Sequence, residues 1–259
     1  MINRLLNPFS RLGQIFVRKV SFPYPWLDRM RFKMLYSLRA IHLYQPVPWL
    51  GFDAALRGKQ TIDRWRAIRN ELDCLGQLGT AMDLGAQLGY FSLCMAERGW
   101  LCLAVEGKRT TYNAAMLVQR ATGIPNVAYR HMKINKNSVC SLPQVDVVIF
   151  LSLWHHLCRA EGFESAKNVL KEVLKRTKIV CFFETGQSTE DYESWSRDLP
   201  SMQPDPDTWI TRLLVECGAS HVHKLGSFDT YLGPIPRTLF AAYKDEATCK
   251  NFSGNARRR

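Results

Sequence analysis

Asp83, Gly85 and Gly89 lie in the run Thr80-Ala-Met-Asp-Leu-Gly-Ala-Gln-Leu-Gly-Tyr-Phe-Ser92, where an apolar strand turns into a helix. Glu106 closes the next apolar run, 23 residues beyond Asp83. Glycine at 85 and 89 removes the Cβ where the backbone turns tightly and lets a ligand approach closely. A carboxylate ending the neighbouring strand can accept both hydroxyls of a ribose, which is the chemistry of a nucleoside site. Gly85-Ala-Gln-Leu-Gly89 is Gly-x-x-x-Gly, not the Gly-x-Gly-x-x-Gly of a pyrophosphate-binding turn, and forms no phosphate nest. The plainer alternative is a strand–helix junction turned by glycine for structural reasons alone.

A second group of residues can manage protons. Leu151-Ser-Leu-Trp-His-His-Leu157 follows a long apolar run, and Glu184-Thr-Gly186 closes another. A neutral imidazole titrating near about pH 6.5 suits a general base for a hydroxyl, which makes His155 and His156 candidates. Glu184 is placed to orient a histidine or to receive a substrate hydroxyl. The alternatives are a histidine bonded to nearby backbone and a carboxylate capping a local turn.

These positions require a regular scaffold. From Thr61 the pattern predicts a helix through Trp65, Ile68 and Leu72, then strands at 81–84, 101–105, 127–132, 145–151, 178–184, 221–228 and 238–243. Helices are expected over 90–98, 111–122, 160–176 and about 208–217. Alternating strands and helices imply a mostly parallel sheet covered by helices on both faces. Val145-Asp-Val-Val-Ile-Phe-Leu151 has the continuous apolar character of a strand buried on both sides. The connection 187–207 bears six carboxylates, Glu190, Asp191, Glu193, Asp198, Asp205 and Asp207, and reads as a long functional lid or a disordered stretch that repels a phosphate backbone.

The order Asp83, Gly85, Gly89, helix, strand, Glu106 resembles the cofactor site of the class I S-adenosylmethionine (SAM)-dependent methyltransferases, over about residues 61–245. The resemblance implies an α/β fold with a seven-stranded, mostly parallel sheet and an antiparallel last strand. It implies that SAM is held by Asp83, Gly85, Gln87, Gly89, Tyr90 and Phe91 around the first turn and by Glu106 and Gly107 after the second strand. Met132 and Leu151 would contribute apolar contact, since the acid that many relatives place against adenine is absent from Tyr129–Asn135. Arg64, in a basic lead-in helix, would meet the cofactor carboxylate; a solvated surface charge is the competing reading. The aromatic-His-His of 154–156 resembles enzymes that modify small molecules or bacterial surface glycans. No Asn/Asp-Pro-Pro-aromatic motif stands there, which argues against amino methylation of nucleobases.

The expected activity is thus O-methylation of a hydroxyl or phosphate of a glycan, glycolipid or other small acceptor, with His155, His156 and Glu184 as catalytic candidates. For a phosphate acceptor no base is needed, and a cation such as Arg237 would matter more. An RNA methyltransferase and a non-catalytic SAM-binding scaffold remain as alternatives.

Charge is segregated. The net charge of +12 resides at the ends of the chain. Residues 1–60 carry ten Lys/Arg against Asp28 and Asp53, the tail 247–259 carries Lys250 and Arg257–Arg259 with no acid, and 61–246 balances. This divides the chain into a basic, partly amphipathic extension (1–60), a catalytic domain (61–246) and a basic tail expected to be disordered. The anionic partner implied by a pI of 9.5 is expected at the ends. Phe9, Leu12, Phe16 and Val20 at helical spacing after Asn7-Pro8, then a basic aromatic stretch from Trp26 to Tyr44, point to an anionic membrane surface met through residues 1–45. A helix packed on the body with its basic face in water is the alternative. Nucleic acid is the weaker partner, because the charge avoids the body. Eight cysteines without Cys-x-x-Cys or metal spacing read as buried thiols in a reducing compartment, and no metal site is expected. Nothing at the amino terminus resembles a secretory signal. The expected location is the cytosol, with peripheral attachment at the inner membrane face through the basic amino-terminal segment.

Overall fold

The computed structural model describes residues 25–41, 43–53, 58–76, 78–230 and 233–245. The expected helix after Pro8 and the basic tail lie outside them.

Seven strands form one sheet in the order β3-β2-β1-β4-β5-β7-β6. They are β1 (Thr80–Leu84), β2 (Leu101–Glu106), β3 (Val127–His131), β4 (Val145–Leu151), β5 (Thr177–Glu184), β6 (His221–Phe228) and β7 (Arg237–Tyr243). Strands β1 to β5 pair in parallel, and β7 runs antiparallel to both β5 and β6. The period of two is visible in β4. Val147 and Ile149 enter the core on one face of the sheet, Val148 and Phe150 the core on the other. All four are buried, and each such side chain contributes roughly 1.5–3 kcal/mol of apolar burial.

Helices α1 (Pro25–Ser37), α2 (Gly58–Leu75), α3 (Tyr90–Glu97) and α4 (Arg109–Thr122) contribute to the first core. Helices α5 (Trp154–Glu161), α6 (Phe163–Arg176) and α7 (Pro206–Glu216) contribute to the second. Residues before the expected domain start belong to the first core too. Phe32, Leu35, Ile41, Leu43, Val47 and Leu50 are buried in it, and Asp28 of α1 grips Arg120 of α4 at 2.7 Å.

One helix departs from the expectation. The segment 160–176 is not a single helix, because Gly162 adopts φ +81° and divides α5 from α6. Helix α5 begins at Trp154, so both histidines sit in its first turn.

The sheet changes direction of growth between β1 and β4, and ligands of open α/β sheets lie beyond the carboxyl ends of the strands at such a point.

Candidate active site

Beyond those carboxyl ends lies a crevice of about 750 Å³, within the range of small-molecule and cofactor sites. The β1–α3 turn forms one wall. Gly85 takes φ +76°, and a Cβ there would stand 3.2 Å from Cδ2 of Leu153. The amides of Gly85 and Ala86 both donate to the Val105 carbonyl, at 2.9 and 3.0 Å, which locks the turn onto β2. Gln87 follows with φ +57°.

Glu106 is fixed by two backbone donors. The Gln87 amide donates to Oε2 at 3.0 Å and the Lys108 amide to Oε1 at 2.7 Å. Its carboxylate is thereby oriented at the crevice wall, and each oxygen retains a lone pair for a further donor. Gly107, Met132 and Ile134 continue this wall. A Cβ on Gly107 would come within 3.3 Å of the Lys133 Cα, so the side chain is missing where two backbones meet.

The floor is built by β4 and β5. Ser152 leaves β4 with φ +53°, a strained conformation for a residue with a side chain. It is held there by Glu184, whose carbonyl accepts the Ser152 amide at 2.9 Å and whose Oε1 accepts the hydroxyl at 2.8 Å. The other carboxylate oxygen, Oε2, accepts from Nε of Arg64. Arg64 is buried and lines the crevice, so the surface-charge reading is corrected: burial beside a fully buried carboxylate accounts for its position. Its Nη1 also donates to the Gln60 carbonyl at 3.1 Å.

The two histidines have different surroundings. His155 is buried, and its Nδ1 accepts the Gly186 amide at 2.9 Å with Thr185 Oγ1 at 3.3 Å. Its ring packs on Trp195, centroids 4.3 Å apart. It does not line the crevice. His156 is exposed and does line it, with its ring centroid 4.2 Å from that of His155. The expected support of a histidine by Glu184 is therefore replaced. Glu184 spends its carboxylate on Arg64 and Ser152, and it is the residues after it, Thr185 and Gly186, that engage His155.

Of the candidate cofactor residues, Gly85, Gln87, Phe91, Glu106, Gly107, Met132, Leu151 and Arg64 line the crevice. Asp83, Gly89 and Tyr90 stand behind it. Asp83 accepts the Ser92 hydroxyl at 2.7 Å, and burial pushes its carboxyl up to about 7. Gly89 takes φ +87°, and a Cβ there would overlap Oη of Tyr129 at 1.9 Å. The Tyr90 amide, an orphan donor at the start of α3, is satisfied by Gln45 Oε1 at 3.2 Å.

Sequence reasoning missed Tyr44, Gln45, Thr61, Lys108, Thr111, Lys133 and Ser152, all of which line the crevice. Gln45 carried a signal, being an amide between an aromatic and a proline in an otherwise apolar stretch. Arg237, the cation reserved for a phosphate acceptor, is not there. It is fully buried, paired with Glu190 at 2.9 and 2.7 Å, and stacked over Trp195.

The 187–207 connection is likewise corrected. None of its residues lines the crevice. Among its six acids, Glu190 holds Arg237, Asp205 caps α7 through the Thr208 amide at 2.9 Å, and Asp207 meets Lys224 at 3.0 Å. Trp195 lies so close to Gly186 that a Cβ there would be 2.2 Å from the indole, which anchors the segment against β5.

Among the described residues no group of three His, Cys, Asp or Glu is arranged to hold a metal ion, and no helix is long and apolar enough to cross a membrane.

The strand order, with the antiparallel β7, is the fold of the class I SAM-dependent methyltransferases. No family profile matches the chain. It is 24% identical over 208 residues to the O-antigen chain terminator bifunctional methyltransferase/kinase WbdD of Escherichia coli, a match covering 79% of this chain and 28% of that protein. The chain thus spans little more than a quarter of the curated relative it matches. A medium-resolution structure of the bifunctional kinase-methyltransferase WbdD superposes with a TM-score of 0.69 at 23% identity, covering 82% of this chain and 46% of that one. The N-terminal domain of EvdMO1, crystallised in the presence of SAH and D-fucose, gives a TM-score of 0.51 at 17% identity, covering 71% and 83%.

Proposed function

We propose that this protein is a SAM-dependent O-methyltransferase acting on a glycan or glycan-bearing acceptor. The observation that carries the reading is Glu106, a carboxylate pre-oriented by two backbone amides at the wall of a crevice whose other side is a glycine turn. That arrangement fits an adenosyl group. Glu106 would accept the ribose hydroxyls, Met132 and Ile134 would flank the base, and the missing Cβ of Gly85 would leave room for close approach. Arg64 would meet the amino-acid carboxylate. When bound, the cofactor supplies a methyl group on a sulfonium, an electrophile that needs only an aligned nucleophile.

The remaining work falls to the chain's own residues. His156, at the first turn of α5 and open to the crevice, takes the proton of an acceptor hydroxyl. Ser152, fixed by Glu184, and Leu153 beside it shape the floor against which the acceptor oxygen is aligned. The glycan class is supported by the WbdD and EvdMO1 likenesses, one named for O-antigen termination and one crystallised with a sugar.

A second acceptor chemistry has its own observation. Beyond Arg64, which is paired with Glu184, Lys108 and Lys133 line the crevice and set two cations against Glu106, which favours an acceptor bearing phosphate. A phosphate oxygen needs no base, so the two chemistries separate at His156.

Calorimetric titration of SAM into wild type and Glu106→Ala tests the cofactor site. Loss of charge-assisted hydrogen bonds worth about 1.5–3 kcal/mol predicts an affinity at least tenfold weaker, measured at a temperature where both proteins are folded, because the Gln87 and Lys108 amides lose their acceptor and the unliganded melting temperature falls as well. Equal affinities would remove the basis of the proposal. Product mass after incubation with labelled SAM and a glycan extract then identifies the acceptor atom.

A further inference from the structure

Helix α1 carries two unlike faces. One packs on α4: Asp28, Arg31, Phe32 and Leu35 are buried, and Asp28 binds Arg120 at 2.7 Å and Arg31 at 3.1 Å. The other presents Trp26 at 61% exposure, Met30 at 59% and Met34 at 37%, spaced i, i+4, i+8 and so aligned in one stripe. Arg29 and Lys33 are exposed beside them, and Leu38 and Arg39 extend the surface past the helix end. The only carboxylate of α1 is consumed inside. The outward face is therefore apolar and cationic, with no acid of its own.

From this we propose that α1 is a docking surface for an anionic lipid bilayer. Charge complementarity selects this occupant. Trp and Met side chains flanked by Arg and Lys match the boundary between headgroups and acyl chains, where the apolar groups leave water and the cations stay among lipid phosphates. A second copy of the same face would bring like charges together. A nucleic acid would leave Trp26, Met30 and Met34 in water. The sequence immediately before α1 reinforces the same chemistry, with Arg4, Arg11, Arg18 and Lys19 and no acid in residues 1–24.

The surface is joined to the active-site crevice. The chain leaves α1 through Ala40 and Ile41 and reaches the crevice wall at Tyr44 and Gln45. A small cleft of about 70 Å³ beside Ala40 and Ile41 is also lined by Gln87, Lys108 and Thr111, three residues of the crevice itself. With α1 at the bilayer, an acceptor carried on a membrane lipid meets the crevice near the surface. That last consequence rests on the proposed methyl transfer, whereas the docking does not.

The test is co-sedimentation of the full chain with vesicles of phosphatidylcholine alone and of phosphatidylcholine mixed with phosphatidylglycerol. Wild type should pellet with the mixed vesicles only, and less as salt rises. Trp26→Ser with Met30→Ser and Met34→Ser should bind at least about tenfold more weakly. Arg29→Glu with Lys33→Glu should lose roughly fivefold or more per cation. Melting temperature and SAM affinity should match wild type in both, since these side chains face outward; either variant suffices if the other folds poorly. Binding that ignores phosphatidylglycerol, or wild-type binding by both variants, overturns the proposal. So does a wild-type dimer that the apolar variant dissociates in sedimentation, or polyuridylate binding that exceeds vesicle binding and is lost in the same variants. Vesicle binding by a protein that binds no SAM and transfers no methyl group to the glycan extract would leave the docking standing and refute the proposed function.

Discussion

The Gly186 amide donates to Nδ1 of His155 at 2.9 Å, across two elements that meet at the ends of β4 and β5. A ring nitrogen accepting a buried backbone N–H is committed to structure, and the neighbouring Trp195 ring covers the imidazole. His156, one residue on, points its ring to the crevice instead.

Substituting the two histidines should therefore give opposite phenotypes. His156→Ala should lower kcat by about 10²–10⁴ on a hydroxyl acceptor, the usual size of general-base catalysis, with the melting temperature unchanged. His155→Ala strands the Gly186 donor, and a buried unsatisfied donor costs about 1–3 kcal/mol, so stability should fall first. Urea melts paired with initial rates separate these outcomes. A silent His156→Ala with intact turnover would instead favour the phosphate acceptor, for which the crevice lysines become the residues to change.

Asp83 should make stability depend on pH in an unusual direction. Burial raises its carboxyl from 3.8 to about 7, with Ser92 hydrogen bonds opposing and the Glu106 charge adding a little. The folded state then holds a proton that the unfolded chain releases above pH 3.8. Between roughly pH 4 and 7 the unfolded state binds fewer protons, so this residue's contribution falls as pH rises and levels off above 7. Asp83→Asn keeps an acceptor for Ser92 but cannot ionise. Its stability relative to wild type should climb by a few kcal/mol, ~4 at most, from pH 4 to 7. A difference that is flat with pH in denaturant melts would show that the carboxyl titrates normally.

Much of this scaffold was legible because its signals are local. The apolar run of β4, the Gly85 turn and the acid ending β2 each declare themselves within a few residues. What stayed hidden depends on distant partners. Nothing near Arg64 announces that it will be buried against Glu184, 120 residues away, and no pattern near Glu190 announces Arg237. Helix α5 is not legible because its first turn lacks a side-chain cap and Gly162, which divides it from α6, looks in the sequence like a tolerated interior glycine. Lys108 and Lys133 are not legible as site residues because single lysines after a strand look solvated; only the fold brings both to the crevice lining.

Breaking the Glu190–Arg237 pair should be severe. Both residues are fully buried, the pair is bidentate, and Glu190 Oε1 also accepts the Gln187 amide at 2.8 Å. Arg237→Ala leaves an uncompensated carboxylate in the interior, a loss of about 3–5 kcal/mol. Arg237→Met with Glu190→Gln removes both charges while preserving volume and an acceptor for Gln187, and should recover more than half of it. Urea unfolding of the two variants checks this. Equal destabilisation would mean that the loop is held by Trp195 and not by the ion pair.

Gly89 and Tyr129 provide the sharpest packing test. The phenol hydroxyl of Tyr129 sits 1.9 Å from where a Cβ on residue 89 would be, and it has no hydrogen-bond partner among the described residues. Gly89→Ala adds this overlap to a backbone at φ +87°, where a side chain is strained anyway. Overpacking and strain together should cost about 2–4 kcal/mol. Tyr129→Phe deletes only an unpaired hydroxyl, so alone it should be neutral or stabilising. In the double variant the nearest remaining ring atoms lie at 2.9 and 3.1 Å from the new Cβ, so part of the clash is relieved while the backbone strain stays. A double-mutant cycle should thus show a favourable coupling of about 1 kcal/mol or more. Strict additivity would mean that the glycine is required for its φ alone and that Tyr129 is not what closes the space above it.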